Sequence, residues 1–319
     1  MQKLKLALYW AASCGGCEIG QLQIGDKLLK LAEVADIVFW PVAVDAKYKD
    51  VEAMPDKSID VCLFNGGIRN SEQEHIARML RNKSRVLIAY GSCACNGGIP
   101  ALANLFNKDM IFKRVYTETP STDNQNQVFP QPSVKVPEGE LNLPVFYDTV
   151  KSLRQTVEVD YFIPGCPPEE QTTWLTLQAL IDGKLPPAGA VITGSAKAVC
   201  DECKRQKNVK KVKKFYRTFA RIPEPDICLL EQGYLCAGIA TRGGCGALCP
   251  QANMPCTGCY GPVENVIDQG AHFLSAVASV IDSNDPQEVQ KIIDEIPDPA
   301  GTFYRYSMAE SLLRRARIK

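Results

Sequence analysis

The sequence predicts an α/β protein, with a parallel sheet in residues 1–188 followed by a smaller, irregular and helical part in residues 189–319. Three observations predict it. Short apolar runs alternate with helically spaced runs through the first half, the signature of a parallel sheet covered on both faces. The alternation stops around "DGKLPPAGAVITG" (182–194) and does not return. From Cys200 to Cys259 the chain is dense in Cys, Gly and Pro, with few apolar runs, so it is expected to fold around metal centres rather than a conventional core.

The elements follow in order. "LKLALYW" (4–10) reads as a buried strand, and "EIGQLQIGDKLLKLAEVA" (18–35) carries apolar residues at helical spacing. "DIVFWPVAV" (36–44) and "DVCLFNGGI" (60–68) are the second and third strands. "SEQEHIARMLRN" (71–82) is a polar-faced helix and "RVLIAYG" (85–91) a fourth strand. "DYFIPG" (160–165) is the fifth, followed by the helical "PEEQTTWLTLQALIDG" (168–183). Between them, residues 118–146 are polar and proline-rich and are expected to lack regular structure. Helices are expected over 265–282, 288–296 and the basic tail 308–319. In parallel sheets, ligands sit at the carboxyl ends of the strands.

Composition narrows the class. The 36 Lys and Arg balance the 36 Asp and Glu, which gives no basic excess for nucleic acid. No run approaches the ~18 apolar residues of a membrane span. The opening "KLKLALYW" is too short for a secretory core, so the expectation is a cytoplasmic chain. Fourteen cysteines in such a chain point to metal or cluster ligation, because cytosolic thiols are kept reduced. The two histidines, His75 and His272, lie far from the cysteine groups, so thiolates would do the ligating, which suits zinc or iron–sulfur clusters.

Cys14 and Cys17 ("SCGGCE") follow the first strand, Cys93 ("YGSCAC") the fourth and Cys166 ("PGCPP") the fifth. In a parallel sheet these loops open on one edge, where four thiolates can converge. Glycines beside each one let backbone approach a bulky centre. Structural zinc sites use two close-spaced pairs; a pair plus two single cysteines suits a cluster better. A second set is Cys200, Cys203, Cys228 and Cys236. A third is Cys245, Cys249, Cys256 and Cys259, with a Cys-Pro common near clusters. By sequence alone Cys236 and Cys245 can exchange places, and zinc is the alternative metal for both sets. Cys62, inside the third strand, reads as a small core residue. Cys95 competes with Cys93, which is preferred because successive strand-end positions point apart. Glu18 opens a helix, where the dipole favours a carboxylate; a proton relay is the other reading. The run "KRQKNVKKVKK" (204–214) is either a solvated face or a dock for an acidic electron-carrier subunit. "NGGIRN" (65–70) lacks the GxGxxG of a dinucleotide loop.

The motifs "CGGCE", "GSCACNGG", "PGCPP", "CLLEQGYLCAG", "TRGGC" and "PCTGC", in this order, resemble the small subunit of nickel–iron hydrogenases. The resemblance spans residue 4 to about residue 280. It is closest to the cytoplasmic, methyl-viologen-reducing type associated with heterodisulfide reductase, through "YWAASCGGCEI", "FWPVAVDAKYKD" and "GSCACNGGIPALANL". It implies a flavodoxin-like amino-terminal domain, an iron–sulfur carboxyl-terminal domain and three 4Fe–4S clusters. The proximal cluster would sit on Cys14, Cys17, Cys93 and Cys166, facing a nickel–iron site in a separate large subunit. Cys245, Cys249, Cys256 and Cys259 would hold the medial cluster, and Cys200, Cys203, Cys228 and Cys236 the distal one. Electrons from hydrogen would leave to an iron–sulfur subunit linked to heterodisulfide reductase. Cys200 stands where periplasmic members carry a histidine, and Cys245 supplies a fourth medial cysteine. The rival readings are a deazaflavin-reducing hydrogenase or sulfhydrogenase small subunit, the related complex I subunit, and a zinc-stabilised structural protein.

Overall fold

The computed structural model describes residues 3–208 and 211–315. In chain order the first half gives β1 (Leu4–Trp10), α1 (Gly16–Leu22), α2 (Lys27–Val34), β2 (Ala35–Phe39), α3 (Tyr48–Glu52), β3 (Ile59–Asn65), β4 (Ile68–Asn70), α4 (Ser71–Lys83), β5 (Ser84–Tyr90) and α5 (Ser92–Asn96). Then come α6 (Lys108–Lys113), β6 (Ser133–Val136), β7 (Gly139–Asn142), β8 (Phe146–Lys151), β9 (Tyr161–Ile163) and α7 (Glu170–Ile181).

β1, β2, β3, β5 and β9 form the parallel sheet, in the order β2-β1-β3-β5-β9. The chain winds outward from β1 in both directions, so the crevice between β1 and β3 is the switch point of a doubly wound sheet. Side chains alternate between two cores, as the two-residue strand period requires. Tyr9, Cys62, Phe64 and Leu87 pack on one face with Ile76 and Leu80 of α4. Leu8, Leu63, Ile88 and Tyr90 pack on the other with Ile24, Leu31 and Leu177. Cys62 is fully buried in the first of these cores.

Four expectations for the first half are corrected. The helix expected over 18–35 is two: α1 ends at Leu22, Gly25 takes φ +62°, and α2 starts after Asp26. The second strand stops at Phe39 rather than 44, because the Ala43 and Val44 amides both turn back to the Trp40 carbonyl beside Pro41. The third stops at Asn65, where Gly66 (φ +94°) passes so close to β1 that a Cβ would lie 2.7 Å from the Ala11 carbonyl carbon. The chain resumes as β4, which pairs antiparallel with β8. The excursion 118–146, expected to be irregular, holds the hairpin β6–β7, with Val134 opposite Leu141.

The carboxyl-terminal part contains α8 (Val199–Glu202), α9 (Leu248–Gln251), α10 (Gln269–Val280), α11 (Pro286–Asp294) and α12 (Pro299–Phe303). Asp268 caps α10, accepting from the Ala271 amide at 2.9 Å, and Asp285 caps α11 through Gln287 at 3.0 Å. Instead of the helix expected over 308–319, two short 3₁₀ turns cover Met308–Glu310 and Leu312–Arg315; residues 316–319 lie outside the described residues. Phe273, Val277, Ile292 and Phe303 build a third core that also takes in Ala101 and Val150. Residues 200–259 give that core Val212, Phe215, Ala237 and Ala240 and add a small apolar cluster around Leu229 and Tyr234. No helix among the described residues is long and apolar enough to cross a membrane.

Candidate metal centres

The carboxyl edge of the sheet assembles the first set of cysteines. β1 delivers the chain into a loop where Gly15 takes φ +84° and the Trp10 indole N–H donates to the Ser13 carbonyl at 3.2 Å. The Gly16 amide donates to the Cys14 sulfur at 3.4 Å. The loops after β5 and β9 are laced together: the Gly91 amide donates to Ile163 and the Ser92 amide to Gly165, both at 2.7 Å. Gly91 (φ +83°) lies so close to the first loop that a Cβ there would stand 2.4 Å from the Cys17 sulfur. A Cβ at Gly98 would stand 2.5 Å from the Cys93 sulfur. These glycines leave a cradle that only bare backbone can line.

The thiols respond to this packing as a group. Burial drives Cys17 far above the usual thiol range, with Cys93, Cys166 and Cys14 adding to it. Burial pushes Cys93 up to about 12, helped by Cys166 and Cys14, and raises Cys166 next to Cys14. Cys14, Cys17, Cys93 and Cys166 are therefore brought together. Cys95 is turned away: its thiol donates to the Ala89 carbonyl at 3.3 Å inside the core.

Cys200, Cys203, Cys228 and Cys236 form a second group. Burial raises Cys200 to about 12, and Cys236, Cys228 and Cys203 add to it. Cys236 rises to about 11 through burial, opposed by the Gly238 and Cys256 backbone amides. A Cβ on Gly238 would meet the Cys200 sulfur at 3.3 Å and the Cys236 sulfur at 3.7 Å, so both face one glycine.

Cys245, Cys249 and Cys259 form the third. Burial raises Cys259 to about 12, with Cys245, Cys249 and Cys166 as its acidic neighbours. Burial also raises Cys245, against the Ala247 and Leu248 amides. Cys256 is raised by burial, then by Cys236 and Cys259, and so lies between the second and third groups. Its own amide donates to the Cys236 sulfur at 3.3 Å. On the other side, Cys259 borders Cys166, and its carbonyl accepts from the Ser92 hydroxyl. The spatial order is thus first set, third set, second set. Cys236 keeps company with Cys200, Cys203 and Cys228, and Cys245 with Cys249 and Cys259.

The donor set fits iron–sulfur clusters. Sulfur is the dominant donor, backbone amides point at sulfurs, and glycines clear room beside them. Buried thiols of raised pKa need a bound cation to stay ionised. Among the described residues, no three Cys, His, Asp or Glu side chains close on a single metal ion.

Glu18 is only 6% exposed. Its carboxylate accepts from the Trp40 indole N–H and from the Asn65 amide, whose carbonyl oxygen accepts from the Ser13 hydroxyl at 2.9 Å. Burial raises its pKa against both hydrogen bonds. The network ties the first loop to the ends of β2 and β3. Trp40 and Asn65 carry no metal-ligand spacing, so motif reading passes over them; their positions at strand ends were the available signal. Tyr306, which hydrogen-bonds Cys166 from 140 residues downstream, left no such signal.

Residues 14–180 match the family "NADH ubiquinone oxidoreductase, 20 Kd subunit". The chain is 42% identical to an iron–sulfur subunit of the F420-non-reducing hydrogenase of Archaeoglobus profundus, over 99% of both chains. It is 37% identical to a vhu subunit of the F420-non-reducing hydrogenase of Methanocaldococcus jannaschii, over 98% of this chain and 97% of that one. The delta subunit of sulfhydrogenase 2 from Pyrococcus furiosus is 29% identical, over 81% and 86%. Among solved structures, a chain of the H2-activated NiFeSe hydrogenase from Dm. baculatum matches 83% of this chain and 96% of its own length, with a TM-score of 0.50 and 17% identity; this likeness concerns the fold.

Proposed function

The chain belongs to the NADH ubiquinone oxidoreductase 20 kDa subunit family, among its nickel–iron hydrogenase small subunits, and from that premise we propose that its three cysteine sets hold three 4Fe–4S clusters. As such a subunit it is the electron-transfer part of an oxidoreductase, and it implies a large subunit as partner. When bound, such clusters supply low-potential one-electron sites. The chain's own residues do the rest. Cys14, Cys17, Cys93 and Cys166 hold the proximal site, Cys245, Cys249, Cys256 and Cys259 the medial one, and Cys200, Cys203, Cys228 and Cys236 the distal one. Burial keeps water from the inner sulfurs, while backbone amides offer hydrogen bonds to Cys14, Cys236 and Cys245. Glu18 anchors the proximal loop.

The observation that carries this reading is the unbroken run of neighbours from Cys166 through Cys259 and Cys256 to Cys236. It supports a relay in the order proximal, medial, distal. Thiolate in place of histidine at Cys200 adds negative charge and lowers potential. That favours a low-potential acceptor, for which we infer an iron–sulfur subunit leading to heterodisulfide reductase in the cytoplasm. We also infer a boundary near residue 188 between the flavodoxin-like domain and the carboxyl-terminal cluster domain. Iron and acid-labile sulfide analysis of the chain purified with its large subunit tests the cluster count. About twelve of each per chain is expected for three four-iron clusters; about four irons without sulfide would refute it. Tagged complex isolated from its native cells should bring heterodisulfide reductase subunits with it, and their absence would reject that acceptor.

A further inference from the structure

Nine of the chain's 36 Lys and Arg residues fall between Lys204 and Ile222, a stretch without Asp or Glu. Four of them are spent on structure, Lys207 among them through the Cys200 carbonyl. Arg205 donates to the carbonyls of Pro250, Glu224 and Ile227, Arg221 donates to Gln232, and Lys214 pairs with Glu295 at 3.4 Å. Lys207, Lys211, Lys213 and Arg217 form no ion pair among the described residues. The same stretch carries Phe219 and Ile222, 82% and 89% exposed, the two most exposed large apolar side chains among the described residues. Cations around a solvent-facing aromatic and an aliphatic side chain are the anatomy of a protein-binding patch, with an apolar centre and a charged rim.

The patch is fastened directly over the distal cysteines. The Lys207 ammonium donates to the Cys200 carbonyl at 3.0 Å, and the Cys228 amide donates to Gln206 at 2.8 Å. The Tyr216 amide donates to Gly233 at 2.7 Å, within the stretch that joins Cys228 to Cys236. A Cβ on Gly233 would lie 2.3 Å from the Lys214 carbonyl oxygen, so the two strands of this loop are packed as closely as backbone allows. Cys200, Cys203 and Cys228 beneath it are half-buried, whereas Cys236 is buried.

We propose that this surface docks an acidic redox protein, one that presents Asp and Glu around its own electron-accepting centre. Unpaired cations steer such a partner and fix its orientation, and burial of Phe219 and Ile222 holds it. The proposal rests on the relay reading above. In the transfer, one H2 yields two protons and two electrons, and two one-electron acceptors are each reduced once.

The test uses the hydrogenase complex that contains this chain. H2-driven reduction of an acidic 2Fe–2S ferredoxin is compared with reduction of benzyl viologen, a small cation that needs no dock. Wild-type ferredoxin reduction should fall as salt rises. Lys211→Glu with Lys213→Glu, and separately Phe219→Ser with Ile222→Ser, should slow it about tenfold or more at low salt. Viologen rates and iron content should hold. Variants that leave the ferredoxin rate unchanged would overturn the proposal, as would a wild type that reduces viologen but not ferredoxin. Loss of sedimentation with phosphatidylglycerol vesicles in the charge-reversed variant, at an unchanged ferredoxin rate, would assign the patch to a membrane surface instead. If H2 fails to bleach the cluster absorbance of the wild-type complex, the relay reading itself falls, and the dock with it.

Discussion

The backbone amide of Cys256 donates to the Cys236 sulfur at 3.3 Å, so one hydrogen bond joins the middle cysteine set to the outer one. The two sulfurs nevertheless serve different centres in the assignment above. Cys236→Ala and Cys245→Ala should therefore each lower the iron content by about four per chain and silence different signals in the reduced electron paramagnetic resonance spectrum. Loss of one and the same signal in both variants would mean that the sets are divided wrongly.

Cys93 and Cys95 sit two residues apart and face opposite ways. Cys95→Ala should keep the full iron content and cost about 1 kcal/mol in folding stability, the usual scale for a small core truncation. Cys93→Ala should lose about four irons. Iron analysis paired with thermal unfolding of each variant separates the two roles, and a reversed pattern would transfer the ligand to Cys95.

Gly91 combines φ +83° and ψ 159° with a contact on the Cys17 sulfur. That backbone region is nearly confined to glycine and costs other residues on the order of 1–3 kcal/mol. Gly91→Ala should lose the proximal cluster while the other two stay, which a signal count in the reduced complex would reveal. Retention of all three clusters would show that the cradle has slack.

Removing the Glu18 carboxylate strands two buried donors, the Trp40 indole and the Asn65 amide. Glu18→Leu should cost about 1–3 kcal/mol for each unsatisfied group, read as a lower denaturant midpoint. Trp40→Phe with Glu18→Leu should recover part of the loss. An unaltered midpoint in the single variant would dismiss the anchoring role.

Burial raises the Cys62 thiol to about 12 from an ordinary 9.0. A folded pKa above the unfolded one means that the folded state holds its proton longer. The stability it contributes is complete below pH 9 and is lost as pH climbs from 9 toward 12, by up to about 1.4 kcal/mol per pH unit. Cys62→Ala should be less stable at pH 8 yet lose stability more slowly above pH 9. Urea titrations of both proteins across that range would expose parallel slopes if the thiol does not titrate as stated.

Much of the first half was legible because its strands are short, apolar and separated by periodic helices, so the three cysteine-bearing loops had to open on one edge. Cys62 was legible for the same reason, lying mid-strand. The break at Gly25 was not, since the apolar spacing of 18–35 continues through it. The β6–β7 hairpin hid in a proline-rich stretch whose alternation covers only four residues a side. In the cysteine-rich part, spacing delimits the groups but leaves Cys236 and Cys245 interchangeable; their neighbours are decided by the fold. Trp40, Asn65 and Tyr306 became visible only through tertiary contact.

The spatial order of the cysteine sets differs from their order along the chain. A ribosome delivers the thiols of the sheet edge first, those of the outer set next, and the bridging set last. Until Cys245 to Cys259 emerge, the cysteines that lie between the two earlier groups are missing. On the relay proposed above, a nascent chain cut short at residue 240 would carry the cysteines of the two outer sites and none of those between them.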